Sequence, residues 1–318
     1  MRPLLAVLAM GYAAWAFAQG GVQIARVGVL SPFIGPDSGF FEIFRQRMQE
    51  LGYTEGRNVA YIYRASEDYD RLAHHAAEMV TLNVQVIVTA GAPGARAARS
   101  ATSKVPIVIA NVGDAVAQGF VDSLARPGGN VTGLTSLNAE LSAKRVEVLL
   151  QAVPALESLV AVREAAGDSG PVRATESAAR GRGVRVEVMQ VRDVDELPSA
   201  VAAAAAKHGG ALVFIPGTLF ASQSRRIVEL VAAHRLPAIY PDSRYVRVGG
   251  LLSYGPNVTE LYRQAAGYVD RIMKGAPPGS LPVGQPTNFE LAVNLETARL
   301  LGIPLSPEIV LRADIVVK

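Results

Sequence analysis

The stretch V-I-V-T-A-G-A-P-G-A-R-A-A, Val86 to Ala98, decides the fold. Four residues rich in β-branched side chains read as a short buried strand. Thr89 to Pro93 read as a turn, and Pro93 leads into a run of helix-forming alanines. A strand that passes through such a turn into a helix is half of a parallel βαβ unit. The pattern repeats on both sides, with strands expected at Ala25 to Leu30, Val59 to Tyr63 and Ile107 to Asn111, and helices at Gly39 to Leu51, Tyr69 to Leu82 and Gly94 to Thr102. A second series follows, with strands at Ser158 to Val162, Val184 to Gln190, Ala211 to Ile215 and Ala238 to Tyr240. The alanine run Ala200 to Ala206 reads as ordinary helix, stopped by Gly209 and Gly210.

A chain of 318 residues is near the size at which one core stops growing and domains split. The fold class expected is therefore α/β, with two Rossmann-like lobes of parallel sheet joined by a hinge. The Gly/Pro-rich run Arg126 to Thr132 and the run Val248 to Asn257 are the candidate crossings between lobes. They divide the chain into residues 22–133 plus about 252–285 for lobe one, and 134–251 plus about 286–318 for lobe two.

Arg2, the apolar run Leu4 to Phe17, and Ala16 and Ala18 before Gln19 have the layout of a secretory signal peptide over residues 1–18. Glycines at 11, 20 and 21 interrupt the segment short of the roughly 20 apolar residues that span a bilayer. The chain has no cysteine, which excludes disulfides, thiolate metal sites and lipid attachment after the signal. A soluble, unanchored periplasmic protein is expected. The net charge of +3, with acidic and basic residues interspersed, does not indicate nucleic-acid binding.

Further along, Leu251 to Gly275 reads L-L-S-Y-G-P-N-V-T-E-L-Y-R-Q-A-A-G-Y-V-D-R-I-M-K-G. It is followed by L-P-V-G-Q-P-T-N-F-E-L-A-V-N-L-E-T-A at Leu281 to Ala298 and L-R-A-D-I-V at Leu311 to Val316. With F-R-Q-R-M-Q-E-L-G-Y-T-E-G-R-N-V (Phe44 to Val59) and L-A-R-P-G-G-N-V-T-G-L (Leu124 to Leu134), this succession resembles the ABC-transporter substrate-binding proteins, the family that includes tryptophan- and tyrosine-binding lipoproteins. The resemblance covers nearly the whole mature chain. It implies a type I periplasmic-binding-protein architecture, an ABC permease in the inner membrane as partner, a monomer, and an aromatic or branched amino acid as the solute. The quoted segments are mostly turns and packing faces, so they specify family and fold rather than ligand. The missing cysteine departs from the lipoprotein members and points to a diderm bacterium.

In open parallel sheets ligands sit beyond the carboxyl ends of the strands, where helix N-termini present free N–H groups. This rule selects the loops Ser31 to Ser38, Thr89 to Pro93 and Asn111 to Asp114 in lobe one. In lobe two it selects Glu164 to Gly170, Pro216 to Phe220 and Pro241 to Arg244. The candidate ligand-binding residues are Ser31, Thr89, Gly91, Asn111 and Asp114, with Thr218, Asp242 and Tyr254 from lobe two or the crossing. Gly91 brings backbone N–H groups to a carboxylate, unless the turn is a plain connection. Asp114 or Asp242 meets an ammonium, although Asp114 equally fits a helix cap. Phe33, Phe214, Phe220, Tyr240 and Tyr254 either wall an apolar pocket or fill the lobe cores.

His74, His75, His208 and His234 show no metal-ligand spacing. No G-x-S-x-G elbow, P-loop or Rossmann fingerprint occurs, so neither a catalysed reaction nor a cofactor is expected. The competing readings are a binder of an aromatic or other carboxylic acid without an amine, a ligand-sensing subunit of a membrane receptor, and, behind both, an exported α/β enzyme.

Overall fold

The computed structural model describes residues 24–32, 39–206 and 210–318. The expected signal segment, Phe33, Ser38, His208 and Gly209 lie outside these residues. In chain order the first part runs β1 (Ala25–Ser31), α1 (Gly39–Glu50), β2 (Val59–Ala65), α2 (Tyr69–Thr81), β3 (Val86–Thr89), α3 (Gly91–Ala101), β4 (Ile107–Val112) and β5 (Val131–Thr135). Then come α4 (Asn138–Ala152), β6 (Ser158–Glu164), α5 (Gly170–Arg180), β7 (Arg185–Val191), α6 (Leu197–Ala205), β8 (Gly210–Phe214), α7 (Thr218–Ser222), α8 (Ser224–Ala233), β9 (Ala238–Tyr240), α9 (Ser243–Arg247) and β10 (Leu252–Pro256). The chain closes with α10 (Val258–Met273), β11 (Phe289–Asn294), α11 (Leu295–Leu301), α12 (Pro307–Arg312) and β12 (Ile315–Val317).

Two sheets result, a five-stranded one ordered β2-β1-β3-β4-β5 and a seven-stranded one ordered β12-β11-β10-β9-β8-β6-β7. All paired strands run parallel except β10 and β11. Period-two alternation explains why strands of the first sheet are apolar on both faces. Val27, Val29, Val86, Val88, Val108 and Ala110 pack toward Phe44 and Met48 of α1 and Leu261, Ala265 and Val269 of α10. Leu30, Ile87, Ile107 and Ile109 pack toward Leu72 and Met79 of α2 and Ala95 and Ala98 of α3. On α2 the buried residues Leu72, Ala76 and Met79 form one helical stripe, and Asp68 caps the helix by accepting from the N–H groups of Asp70 and Arg71. The second sheet is covered likewise, by α4 and α5 on one face and by α6 and α8 on the other. Each fully buried side chain of this kind contributes about 1.5–3 kcal/mol.

The crossings lie at or just beyond the ends of the runs that composition suggests. Val131 and Thr132, at the end of the first candidate run, belong to β5, the last strand of the first sheet. Leu252 to Pro256, expected with lobe one, forms β10 and is held between β9 and β11 in the seven-stranded sheet. A strand hydrogen-bonded on both edges cannot leave its sheet, so this crossing comes no earlier than Asn257, whose Oδ1 accepts from the Glu260 N–H at 2.9 Å and starts α10. The other crossings are Ser136 and Leu137 after β5, and residues 285–288 between Gly284 and β11. Gly284 is tied to the first lobe through Gly133 and Thr135.

Candidate functional site

The carboxyl ends of β1, β3 and β4 face those of β6, β8 and β9 across a cleft. One cavity of about 110 Å³ is lined from both sides, by Gly91, Asn111, Gly113 and Gln118 of the first lobe and by Asp168, Thr218 and Arg244 of the second. A neighbouring chamber of about 130 Å³ is lined largely by the first lobe, with Phe41, Phe44, Tyr63 and Tyr262 among its walls. Ala221, Arg244 and Tyr262 line both, so the two adjoin.

Polar side chains converge at Gly113. A Cβ placed on it would stand 3.3 Å from Nε2 of Gln118, 3.4 Å from Nδ2 of Asn138 and 3.9 Å from Oδ2 of Asp168. Asn111, at the end of β4, lines the same cavity and is half-buried between Ala110 and Val112 of the core. The amides of Asn111, Gln118 and Asn138 hydrogen-bond to no other described side chain or backbone group. Asp168 accepts from the Gly170 N–H at 2.9 Å through Oδ1. Its other oxygen has no partner, and no cation stands within ion-pair distance, among the described residues. Polar groups removed from water are normally paired, so this half-buried, unpartnered cluster is the candidate site.

The local structure holds the cluster in place. Arg163 donates to the carbonyls of Glu164, Ala165 and Gly167, at 3.0, 3.3 and 2.6 Å, and fixes the loop that presents Asp168. Thr135 Oγ1 donates to the Gly113 carbonyl, and Ser136 binds the Val112 carbonyl through both its N–H and its hydroxyl. Asn138 is thereby locked to the end of β4. The N-terminus of α3 also opens here: Ala90 provides no side-chain cap, and Gly91 and Ala92 line the cavity. Gly91 has φ +67°, and a side chain there would overlap Thr218 of the opposite lobe, so only glycine suits the position.

The charged groups on the second-lobe wall other than Asp168 are already committed. Glu164 accepts from the Phe220 N–H and the Thr218 hydroxyl, each at 3.2 Å, and burial raises its carboxyl above the usual range. Burial would also raise Asp242, but Arg244, bound through Nε and Nη2 at 2.8 Å each, and Arg145 together hold it below the usual range. Asp242 moreover accepts from the Arg244 N–H and starts α9. Arg145 is fully buried and donates to Tyr254 O at 2.7 Å, Ser142 Oγ at 3.2 Å and Pro241 O at 3.3 Å. Burial lowers its pKa to about 10. It places positive charge beneath the cavity floor.

The residues singled out in the sequence therefore divide. Gly91, Asn111, Thr218 and Asp242 line the cavity at Gly113, and Ser31 and Thr89 line the aromatic chamber. Asp114 is exposed, lies outside both walls, and accepts from the N–H groups of Val116 and Ala117 at 3.1 and 2.9 Å, so its capping role prevails. Tyr254 stacks on Phe289 at 6.4 Å and packs against the second-lobe core, outside both walls. Phe214, Phe220 and Tyr240 are core residues at most 1 % exposed, with Phe214 stacked on Tyr240 and meeting Phe220 edge-on. Sequence reasoning missed Phe41, Phe44, Tyr63 and Tyr262, which sit on helices and a flanking strand rather than on loops after strands. It also missed Gln118 and Asn138. Asp168 lay inside a selected loop but carried no signal of its own.

The lobes touch beyond the cavity. Ser222 Oγ of the second lobe donates to Glu67 of the first at 3.2 Å. Among the described residues no cluster of three or more His, Asp or Glu could hold a metal ion, and no helix is long and apolar enough to cross a membrane.

Residues 39–317 match the family model described as ABC transporter substrate binding protein. The chain belongs to this family. Membership implies a small-molecule ligand, a permease partner and a place of action in the periplasm or outside the cell. A curated relative, the tyrosine-binding protein of Clostridioides difficile (strain R20291), is 24% identical over 264 residues, covering 82% of this chain and 75% of that protein. Among solved structures, an ABC domain in complex with L-Trp from Streptococcus pneumonia superimposes with a TM-score of 0.86 at 24% identity, over 92% of this chain and 100% of that one. A substrate binding protein with adhesive properties from Clostridium difficile, in its ligand-free, open form, gives 0.66 at 21% identity, over 93% and 100%. These likenesses establish a two-lobed α/β fold shared with known substrate-binding proteins.

Proposed function

We propose that this substrate-binding protein is the periplasmic, unanchored and monomeric component of an ABC import system, and that it captures an aromatic α-amino acid between its lobes. One observation carries the reading: a cluster of unpartnered amides and a carboxylate with a free oxygen at Gly113 lines a cavity that adjoins a chamber walled by aromatic rings. An amino acid presents the matching surface. Its ammonium pairs with Asp168, its carboxylate takes the amides of Gln118 and Asn138 and the open N-terminus of α3, and its ring enters the chamber.

Asp168 replaces Asp114 and Asp242 as the ammonium partner, since the first of those caps a turn and the second is neutralised by Arg244. The cluster draws on both lobes and on the crossing segment, so a ligand bound there favours the closed arrangement over the open one. The hydrogen bond between Ser222 and Glu67 across the lobes supports a closed conformation here.

Isothermal titration of the mature protein against tryptophan, tyrosine, phenylalanine, leucine, 3-phenylpropionate and phenethylamine tests the reading. Tight binding of an aromatic amino acid, with both the amine-free acid and the acid-free amine far weaker, is the expected result. Equal binding of 3-phenylpropionate would instead establish the carboxylic-acid reading, and leucine as the tightest ligand would refute the aromatic one.

A further inference from the structure

We infer that Gly91 is a positioning residue for closure: its bare backbone is the seat on which the methyl of Thr218 comes to rest, and it sets how closely the two lobes approach. The inference rests on the closure reading above and deepens it.

The second lobe meets the first through one face of α7. Thr218 and Ser222 stand four residues apart on this helix, which puts them on the same side. Ser222 Oγ donates to Glu67, in the turn between β2 and α2. Thr218 meets Gly91, the first residue of α3. The helix is held firmly from its own lobe: Glu164 accepts from the Phe220 N–H and from the Thr218 hydroxyl, and a side chain at Gly217 would overlap Glu164. Thr218 carries its hydroxyl and its methyl on the same carbon, so the hydroxyl committed to Glu164 fixes the direction of the methyl. That methyl is the group a side chain at position 91 would meet first.

The obstacle to such a side chain lies in the opposite lobe. Within the first lobe the nearest groups, Pro93 and Pro32, would stand 3.7 and 3.8 Å from a Cβ on Gly91, which is ordinary van der Waals contact. An alanine at 91 therefore has room in its own lobe and is excluded only by closure. Its backbone strain at φ +67° is the same with the lobes apart or together, so that strain lowers stability without changing affinity. Thr218 is buried, and a close-packed group yields only at a cost. Relief comes instead from parting of the lobes, the softer motion in a two-lobed chain.

The test exploits the absence of cysteine from the chain. In the mature protein, Glu67→Cys and Ser222→Cys introduce two thiols, one on each lobe, and the rate at which a short bis-maleimide joins them without ligand reports the closed population. Adding Gly91→Ala should slow the joining by about tenfold or more. Adding Thr218→Ser to that variant removes the methyl, keeps the hydroxyl for Glu164, and should restore most of the rate. Without the thiols, the affinities of Gly91→Ala and of its combination with Thr218→Ser for L-tryptophan and L-tyrosine should follow the same order. The melting temperature lowered by Gly91→Ala should not recover with Thr218→Ser. Unchanged joining in Gly91→Ala, or a loss that Thr218→Ser leaves in place, overturns the inference. Thiols that are never joined mean that the lobes do not meet at α7, and the closure reading falls together with the inference. Wild type that binds neither amino acid, while the joining rates keep the expected order, refutes the ligand reading and upholds the role of Gly91.

Discussion

The two chambers of the cleft differ in what builds them. The chamber at Gly113 draws its groups from the end of β4, the turn at Gln118, the crossing at Asn138 and the β6–α5 loop at Asp168, so it is complete only when both lobes meet. The aromatic chamber is mostly a property of one lobe, made by α1, β1, β2, β3 and α10, with Ala221, Ser222 and Arg244 reaching over from the other. A preformed apolar chamber supplies burial whatever the hinge does, whereas a polar cluster divided between lobes links recognition to closure. On the proposed reading, the ring of the amino acid supplies affinity for one lobe, and its head group is met in full once the second lobe has closed.

Substitutions can separate the two. Phe44 is 1 % exposed and belongs both to the chamber wall and to the first-lobe core, so Phe44→Ala should cost about 3 kcal/mol of stability, seen as a lowered melting temperature. If stability were unchanged, the chamber would not be a continuation of the core. Asp168→Asn comes next, with a loss of about 2 kcal/mol, roughly 30-fold in Kd, for amino acids and none for 3-phenylpropionate. Equal losses for both ligands in titration calorimetry would remove Asp168 as the ammonium partner.

Asn138→Ala should cost about 1 kcal/mol in binding. It should also raise the population of open molecules at subsaturating ligand, measured by small-angle scattering. The same size of loss without a change in shape would confine Asn138 to contact and deny it a part in closure.

The smallest effect concerns Glu164, whose carboxyl is raised above its ordinary value of 4.5 by burial. A carboxyl with a raised folded pKa binds its proton more tightly in the folded state. Its stabilising contribution is therefore full below the unfolded pKa and declines as pH rises through the folded one. The melting temperature of Glu164→Gln relative to wild type should thus climb as pH rises from about 4.5 and then level off. A flat difference across that window would mean that the helix α7 N–H groups offset the burial completely.

Much of this was legible residue by residue. The run Val86 to Thr89 and its turn into α3 read as half of a βαβ unit because alternation and turn chemistry act over a few residues, and the same held for β1, β4, β6, β8 and β9. Leu252 to Pro256 could not be assigned to its sheet in that way, because pairing with β9 and β11 is a relation between distant segments. The rule that sites lie beyond strand ends led to the loops holding Thr89, Gly91, Asn111, Thr218 and Asp168. It passed over Phe41, Phe44, Tyr63 and Tyr262, whose rings come from covering helices and a neighbouring strand.

The sequence by itself determined two α/β lobes and membership in the substrate-binding family, since periodicity, turn residues and long matching segments are carried along the chain. Only the tertiary structure decided which of three aspartates keeps an oxygen free on the cavity wall. Asp114, Asp242 and Asp168 are alike as residues in loops after strands. Their roles diverge because one caps a turn, one is held by Arg244, and one keeps an oxygen free beside Gly113. A carboxylate's function is set by the partners it has already found, and those are assembled in space rather than along the chain.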